Sequence, residues 1–239
     1  MNRTLKIAHL YPAEMNIYGD WGNIITLEQR CLWRGIHTTV DSVNIGQKYD
    51  LTKADVIFGG GGQDRGQELV AKDLLNRQID VEGAVNAGVP MLLICGLYQL
   101  FGRRFTTSNG QELRGLGIFG LETVGGNERM IGNIVIDSQF GKLVGFENQS
   151  GQTKLDPDQK ALGRVIKGAG NDGISGYEGA IISKVIGTYL HGPILPKNPA
   201  LADFLISTAL KNRGENQELE ELDDALEKQS AELASKLTR

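Results

Sequence analysis

Val89-Pro90-Met91-Leu92-Leu93-Ile94-Cys95-Gly96-Leu97-Tyr98-Gln99-Leu100-Phe101-Gly102 is the stretch on which the reading of the fold turns. Residues 91–94 (MLLI) are apolar at every position, so neither face of this segment is meant for water. That is the pattern of a short strand buried on both sides, the habit of parallel sheets. After Cys95 the spacing becomes helical and runs through Phe101. A strand that turns at once into a helix is one half of a βα unit, and the residue at the turn is pushed out of the sheet.

Working outward, the same alternation recurs. Residues 5–11 (LKIAHLY) read as a buried first strand ending at Pro12. A helix is expected from about 23 to 34, with Ile24, Leu27, Cys31 and Leu32 at helical spacing, Asp20 as its cap and Gly35 as its stop. A β-branched stretch follows at 37–45. Residues 54–58 (ADVIF) form a further strand that runs into Gly59-Gly60-Gly61-Gly62, and one helix is expected from about 67 to 87. Three βα steps imply a mostly parallel central sheet flanked by helices. Between 112 and 192 the pattern changes to glycine-punctuated short strands, around 131–136, 143–146, 163–167, 179–183 and 186–190. These are strands added to the sheet or a small antiparallel layer beside it. A helix at about 199–212 closes the body, giving one domain over 1–213 and a charged C-terminal helical extension over 214–239. In that extension Leu219, Leu222, Leu226, Leu233 and Leu237 make a narrow apolar stripe.

Composition bounds the rest. The 239 residues are 40% apolar with 32 glycines and a net charge of −4, which suits a folded α/β protein. Residues 212–239 hold eight acids and four bases, so the tail carries the charge and the body is neutral. No basic stripe points to nucleic acid, no apolar run reaches the roughly 18 residues of a membrane span, and no leader is read at the N-terminus. Two cysteines in different settings fit a reducing cytoplasm.

Chemistry is expected at Cys95. The first turn of a helix presents amide N–H groups that favour a thiolate, and Gly96 leaves the approach open. Cys31, among apolar helical neighbours, is a core residue. Of three histidines, His9 lies inside a strand and His37 opens a polar stretch. His191, at the end of a strand and before Gly192-Pro193, is the candidate base. The glycine run fits neither a P-loop nor a dinucleotide fingerprint, which leaves a tight turn or an oxyanion hole.

These motifs resemble those of class I glutamine amidotransferases. Ile94-Cys95-Gly96-Leu97-Tyr98-Gln99-Leu100-Phe101-Gly102 is similar to the family's nucleophile motif, closest to the cobyric acid synthase-like branch, and Thr188-Tyr189-Leu190-His191-Gly192-Pro193 is similar to that branch's histidine motif. Gly59-Gly60-Gly61-Gly62-Gln63-Asp64 resembles its oxyanion strand and loop. Tyr11-Pro12 to Asn16, Tyr18-Gly19-Asp20-Trp21-Gly22-Asn23-Ile24 and Gly145-Phe146-Glu147-Asn148 narrow the resemblance to the glutaminase subunits of lipid II isoglutaminyl synthases.

The resemblance implies a flavodoxin-like class I glutaminase architecture and a set of roles. Cys95 is the nucleophile, and His191 protonates departing ammonia. Gly61 or Gly62, with Leu97, holds the oxyanion. Gln99 helps place the substrate, and Arg129 meets its α-carboxylate. It implies no metal and no cofactor in this chain. ATP and Mg are expected on a Mur-ligase-like (MurT-like) partner, with L-glutamine as substrate and lipid II reached through that partner at the inner face of the membrane. Two positions depart from the wider pattern. Pro193 stands where many class I enzymes place the glutamate that orients the histidine, so that acid is expected from the partner or from a local residue, with Glu147 the local candidate. Gln149 stands where the branch often has histidine. The alternatives are a glutaminase serving another acceptor such as a cobyrinate, a Cys–His hydrolase of the same fold, and a scaffold subunit.

Overall fold

The computed structural model describes residues 4–215 and 218–237, with the side chains of Asp64 and Arg65 left out of the description. Residues 216, 217, 238 and 239 of the expected extension lie outside the described residues. In chain order the elements are β1 (Thr4–Leu10), α1 (Trp21–Leu32), β2 (His37–Val43), β3 (Val56–Gly59), α2 (Asp64–Asn76), α3 (Gln78–Asn86), β4 (Met91–Ile94) and α4 (Gly96–Leu100). The second half adds β5 (Arg104–Thr106), β6 (Glu112–Arg114), β7 (Leu121–Ser138), β8 (Gly141–Leu155), β9 (Gly163–Lys167), β10 (Tyr177–Glu178), β11 (Ala180–Ile182), β12 (Val185–Thr188), α5 (Pro199–Asn212) and α6 (Ala225–Lys236).

The central sheet has the order β11-β12-β4-β3-β1-β2. Five of its strands are parallel and only the edge strand β11 runs the other way. Read from β2, this is the flavodoxin-like order, which reverses direction between β1 and β3 and opens a crevice there at the carboxyl ends of the strands. The register aligns those ends: Leu10 pairs with Gly59, Gly59 with Leu93, and Ile94 with Thr188. Whatever follows Leu10, Gly59, Ile94 and Thr188 in the chain therefore emerges along one edge.

Glycine in the strands flanking β4 lets α4 settle onto the sheet. A Cβ at Gly59 would collide with Leu97, and a Cβ at Gly187 with Tyr98. The expected single helix over 67–87 is two helices broken at Arg77. The Arg77 guanidinium bonds back to Asp73 Oδ2 at 2.6 Å and across to the Asn44 carbonyl at 3.0 Å.

The short strands of the second half divide between two sheets. β11 and β12 extend the central sheet, and the rest form a second sheet, β10-β9-β7-β5-β6, with β8 on β7. Its spine is the β7–β8 hairpin, longer than the glycine-punctuated sequence suggested. Its register breaks between Gly125 and Met130, so that residues 126–129 bulge opposite Ser150 alone. Bulges re-aim side chains, and this one carries Arg129.

The tail is strapped to the body. Arg30 in α1, 2% exposed, donates to both oxygens of Asp203 in α5 at 2.7 and 2.8 Å and to Asp224 at 2.6 Å. Arg34 donates to the Glu220 carbonyl at 2.7 Å. These bonds hold residues 218–224 out of helical form, so the leucine stripe does not act as one face. Leu219 packs on the core, whereas Leu226 and Leu233 are 77% and 59% exposed. α6 lies on β7 and β8, where Lys167 donates to the Leu237 carbonyl at 2.6 Å.

Replacing Arg30 by Met is expected to lower stability by about 3 kcal/mol, the lower end of the cost of breaking a buried pair, because Asp203 keeps Arg34. The measurement is the urea midpoint at unchanged slope; a shift too small to resolve would mean that the network contributes nothing.

Candidate active site

Cys95 occupies the turn between β4 and α4 with φ 49° and ψ −99°, a backbone conformation rare outside glycine and costly for a side chain. Two backbone bonds hold it there: its N–H donates to the Thr188 carbonyl at 2.8 Å, and its carbonyl accepts from Gln99 N at 2.9 Å. The residue is 7% exposed and borders a cavity of about 700 Å³.

His191 lies three residues beyond β12, where its backbone pairs with Phe146 through two hydrogen bonds of 3.0 and 2.8 Å. Its ring is fully buried. Nδ1 faces Asp20 Oδ1 at 3.4 Å, while Nε2 makes no hydrogen bond to any described residue. A Cβ at Gly61 would stand 3.0 Å from His191 Cε1 and 3.2 Å from Cys95 Cβ, so Gly61 marks the narrow place where the two side chains meet. Burial pushes the imidazole pKa down, but the Asp20 carboxylate and Cys95 together reverse this and hold it at about 10.

The acid that orients His191 is therefore Asp20, not Glu147. The Glu147 carboxylate is turned away and accepts the amides of Ala169 at 2.7 Å and Gly170 at 2.9 Å. Nor does Asp20 cap α1 with its side chain. It is fully buried, and its Oδ2 accepts the Gly61 amide at 2.7 Å. That bond separates Gly61 from Gly62. The Gly61 N–H is taken up by Asp20 and cannot point at an oxyanion, a correction to its expected role. The Gly62 amide lies 3.1 Å from where a Gly96 Cβ would be, and neither it nor the Leu97 amide meets an acceptor among the described residues. Met15, fully buried, presses on Gly62 and Gly96 and leaves no room for a side chain at either.

Gln99 forms part of the cavity wall with both ends of its amide engaged. It accepts from Gln67 at 2.6 Å and donates to the Tyr189 hydroxyl at 3.0 Å. Gln149 borders the same cavity; Nε2 donates to the Gly170 carbonyl at 3.0 Å, and its buried Oε1 has no described partner. Arg129 reaches the rim from the β7 bulge. Its Nε donates to Asn148 Oδ1 at 2.8 Å and its Nη2 to the Tyr18 hydroxyl at 3.2 Å, and among the described residues it pairs with no carboxylate. Tyr18 also sets its ring edge-on to His191, with centroids 4.9 Å apart. Asp20, which the sequence reading made a helix cap, and Tyr18, to which it gave no role, are site residues; the signal available was their place in a loop after the first strand at the sheet's reversal point.

The remaining cysteine and histidines stand apart. Cys31 is core, its thiol pushed up to about 12 by burial. His37 is exposed. His9 is buried between Trp21 and Phe58, and desolvation lowers it to about 4, so it is a neutral packing ring.

A strained cysteine, a buried histidine and an oriented carboxylate at the end of a parallel sheet describe a thiol acyl-transfer site. Residues 6–199 match the CobB/CobQ-like glutamine amidotransferase domain. The chain belongs to that family. This glutamine amidotransferase is 40% identical to the lipid II isoglutaminyl synthase (glutamine-hydrolyzing) subunit GatD of Staphylococcus aureus strain N315, over 96% of this chain and 94% of that protein. It is also 40% identical to the subunit of the same name from Streptococcus pneumoniae strain R6, over 95% of this chain and 89% of that one. A probable cobyric acid synthase of Methanothermobacter thermautotrophicus is 35% identical over 44% of this chain. In fold alone, the amidotransferase is similar to two solved glutamine amidotransferases. One has a TM-score of 0.57 at 12% identity, covering 84% of this chain and 98% of the other. The other, from Thermotoga maritima, has a TM-score of 0.52 at 16% identity, covering 96% and 90%. No helix among the described residues is long and apolar enough to cross a membrane.

The raised His191 pKa makes a stability prediction. Its folded value of about 10 lies above the unfolded 6.5. The stabilisation is fully present below pH about 6.5 and is lost as pH rises toward about 10, because the unfolded chain gives up its proton first. Asp20→Asn removes one of the two groups that hold the proton, so the fall in urea midpoint across that window becomes shallower than in the wild type. Equal slopes in the two proteins would refute the coupling.

Proposed function

We propose that this amidotransferase is the glutaminase subunit of a lipid II isoglutaminyl synthase. It hydrolyses L-glutamine at Cys95 and passes ammonia to an ATP-dependent, Mur-ligase-like partner, which amidates D-glutamate of lipid II to D-isoglutamine. The observation that carries this reading is the convergence of Cys95, His191 and Asp20: the buried His191 and Asp20 stand behind Cys95, which borders a cavity whose rim holds an arginine with no carboxylate partner among the described residues. The 40% identity to both GatD subunits over nearly the whole chain supports the choice of acceptor.

The chemistry follows from the geometry. The proton of Cys95 rests on His191 Nε2, the ring nitrogen with no partner among the described residues, while Asp20 holds Nδ1, and the imidazolium so formed is the state that persists up to pH about 10. The sulfur adds to the side-chain carbonyl carbon of glutamine, and the oxyanion is held by the Gly62 and Leu97 amides, each such donor being worth roughly 2.7–4 kcal/mol in comparable sites. The C–N bond breaks as His191 returns the proton to nitrogen, and ammonia leaves. Water, deprotonated by His191, then cleaves the thioester to glutamate and restores the thiol. Arg129 binds the α-carboxylate with the unclaimed end of its fork. ATP and its metal are handled by the partner.

The test is glutamate release from glutamine by the purified chain, alone and with the partner. Release that falls on the order of 10³-fold or more in Cys95→Ser is expected, and on the order of 10²- to 10⁴-fold in kcat for Asp20→Asn. Intact folding with no Cys95-dependent release in either setting would leave a scaffold subunit as the better account. Arg129→Ala is expected to raise KM for glutamine by at least about tenfold, the loss of a charge-assisted hydrogen bond; an unchanged KM would remove Arg129 from the substrate site.

A further inference from the structure

Tyr18 touches both ends of the site. It sits in the loop after β1 with φ 55°, in the left-handed region that side chains rarely adopt. The loop is pinned on either side: Ile17 N donates to the Gly61 carbonyl at 3.2 Å, and Asn16 Oδ1 accepts from Trp21 N at 2.8 Å. The Tyr18 ring stands edge-on to the His191 imidazole, with centroids 4.9 Å apart and planes at 72°. Its hydroxyl accepts from Arg129 Nη2 at 3.2 Å. Although 42% exposed, the ring borders the cavity that holds Cys95.

The consequence for Arg129 is geometric. Asn148 takes Nε and Tyr18 takes one N–H of Nη2, so the guanidinium is oriented at two points. Nη1 and the second N–H of Nη2 meet no acceptor among the described residues, which leaves charged donors free for a carboxylate. One rigid phenol thus spans the distance from that anchor to the imidazole working on the scissile amide.

We propose that Tyr18 is a positioning residue that fixes this distance, so that the cavity measures the length of its amino-acid amide and selects glutamine over asparagine. The inference rests on the glutaminase reading. In asparagine the amide carbon lies one methylene nearer the α-carboxylate, roughly 1.3 Å short of the sulfur once the carboxylate is held. A misplacement of about 1 Å costs on the order of 10²-fold in rate.

The experiment measures hydrolysis of glutamine and of asparagine by the full chain with its synthetase partner, for wild type, Tyr18→Phe, Tyr18→Leu and Cys95→Ser. Tyr18→Phe keeps the ring and frees Arg129. It is expected to raise KM for glutamine about tenfold, the loss of one hydrogen bond to a charged group. Its kcat should stay within about twofold, and its preference for glutamine over asparagine in kcat/KM should fall about tenfold. Tyr18→Leu also removes the ring from the imidazole and is expected to lose at least about tenfold in kcat, which Phe restores. Wild-type KM and preference in Tyr18→Phe would overturn the proposal. So would equal losses of kcat in the Phe and Leu variants, which mark a merely structural residue. Wild-type activity that does not depend on Cys95 would instead sink the glutaminase reading, and the ruler with it.

Discussion

The Asp20 carboxylate accepts the Gly61 amide with one oxygen and faces His191 Nδ1 with the other, in a place closed to water. Three pieces of chain from different parts of the sequence meet at this one group: the loop after β1, the glycine turn after β3 and the segment beyond β12. A buried carboxylate is expensive unless its oxygens are hydrogen-bonded or paired. Its neighbours are therefore held as firmly as it is. If the loop after β1 moved, Gly61 would lose its acceptor and His191 its orienting partner in the same motion.

The strength of the arrangement comes from register. Parallel strands place their carboxyl ends together, and here Leu10, Gly59, Ile94 and Thr188 lie in successive pairings. Side chains of small volume do the fitting. Gly59 and Gly187 let α4 press onto the sheet, and Gly61 lets the cysteine and histidine approach. The strain at Cys95, with φ 49°, is held by bonds to Thr188 and Gln99 on either side. Beneath His191, the buried Glu178 carboxyl, raised to about 8 mainly by desolvation, accepts the Tyr189 amide at 2.6 Å and fixes the chain just before the histidine.

The second sheet supplies the opposite wall. The β7 bulge lifts Arg129 out of the ladder, and the inward face of β8 brings Gly151 and Thr153 against the network of Gln99 and Tyr189, while Gln149 borders the same cavity and bonds to Gly170. A cavity built this way has one face from the rigid parallel sheet and one from a long twisted hairpin. The tail braces the assembly from outside: Arg30 ties α1 to both α5 and Asp224, and α6 lies on the hairpin.

Local pattern sufficed for everything that depends on neighbours in the chain. Four buried apolar residues followed by Cys95 and a helical spacing specify a strand–turn–helix and an outward-pushed thiol, because both are decided within about ten residues. The rarity of histidine, with only three in the chain, singled out His191. The resemblance of the motifs pointed to Arg129, which neither spacing nor composition identifies. What only the tertiary structure decided are the relations between distant residues. Asp20, 171 positions from His191, looked like a helix cap because a local reading offers an aspartate before a helix no other use. Glu147 looked available until the loop at 168–170 was seen to consume it. The break at Arg77, the loss of the leucine stripe to the Arg30 and Arg34 bonds, and the place of Tyr18 between imidazole and guanidinium have the same origin. Each is set by long-range pairing, whose energy depends on which groups the folded sheet brings within about 3 Å.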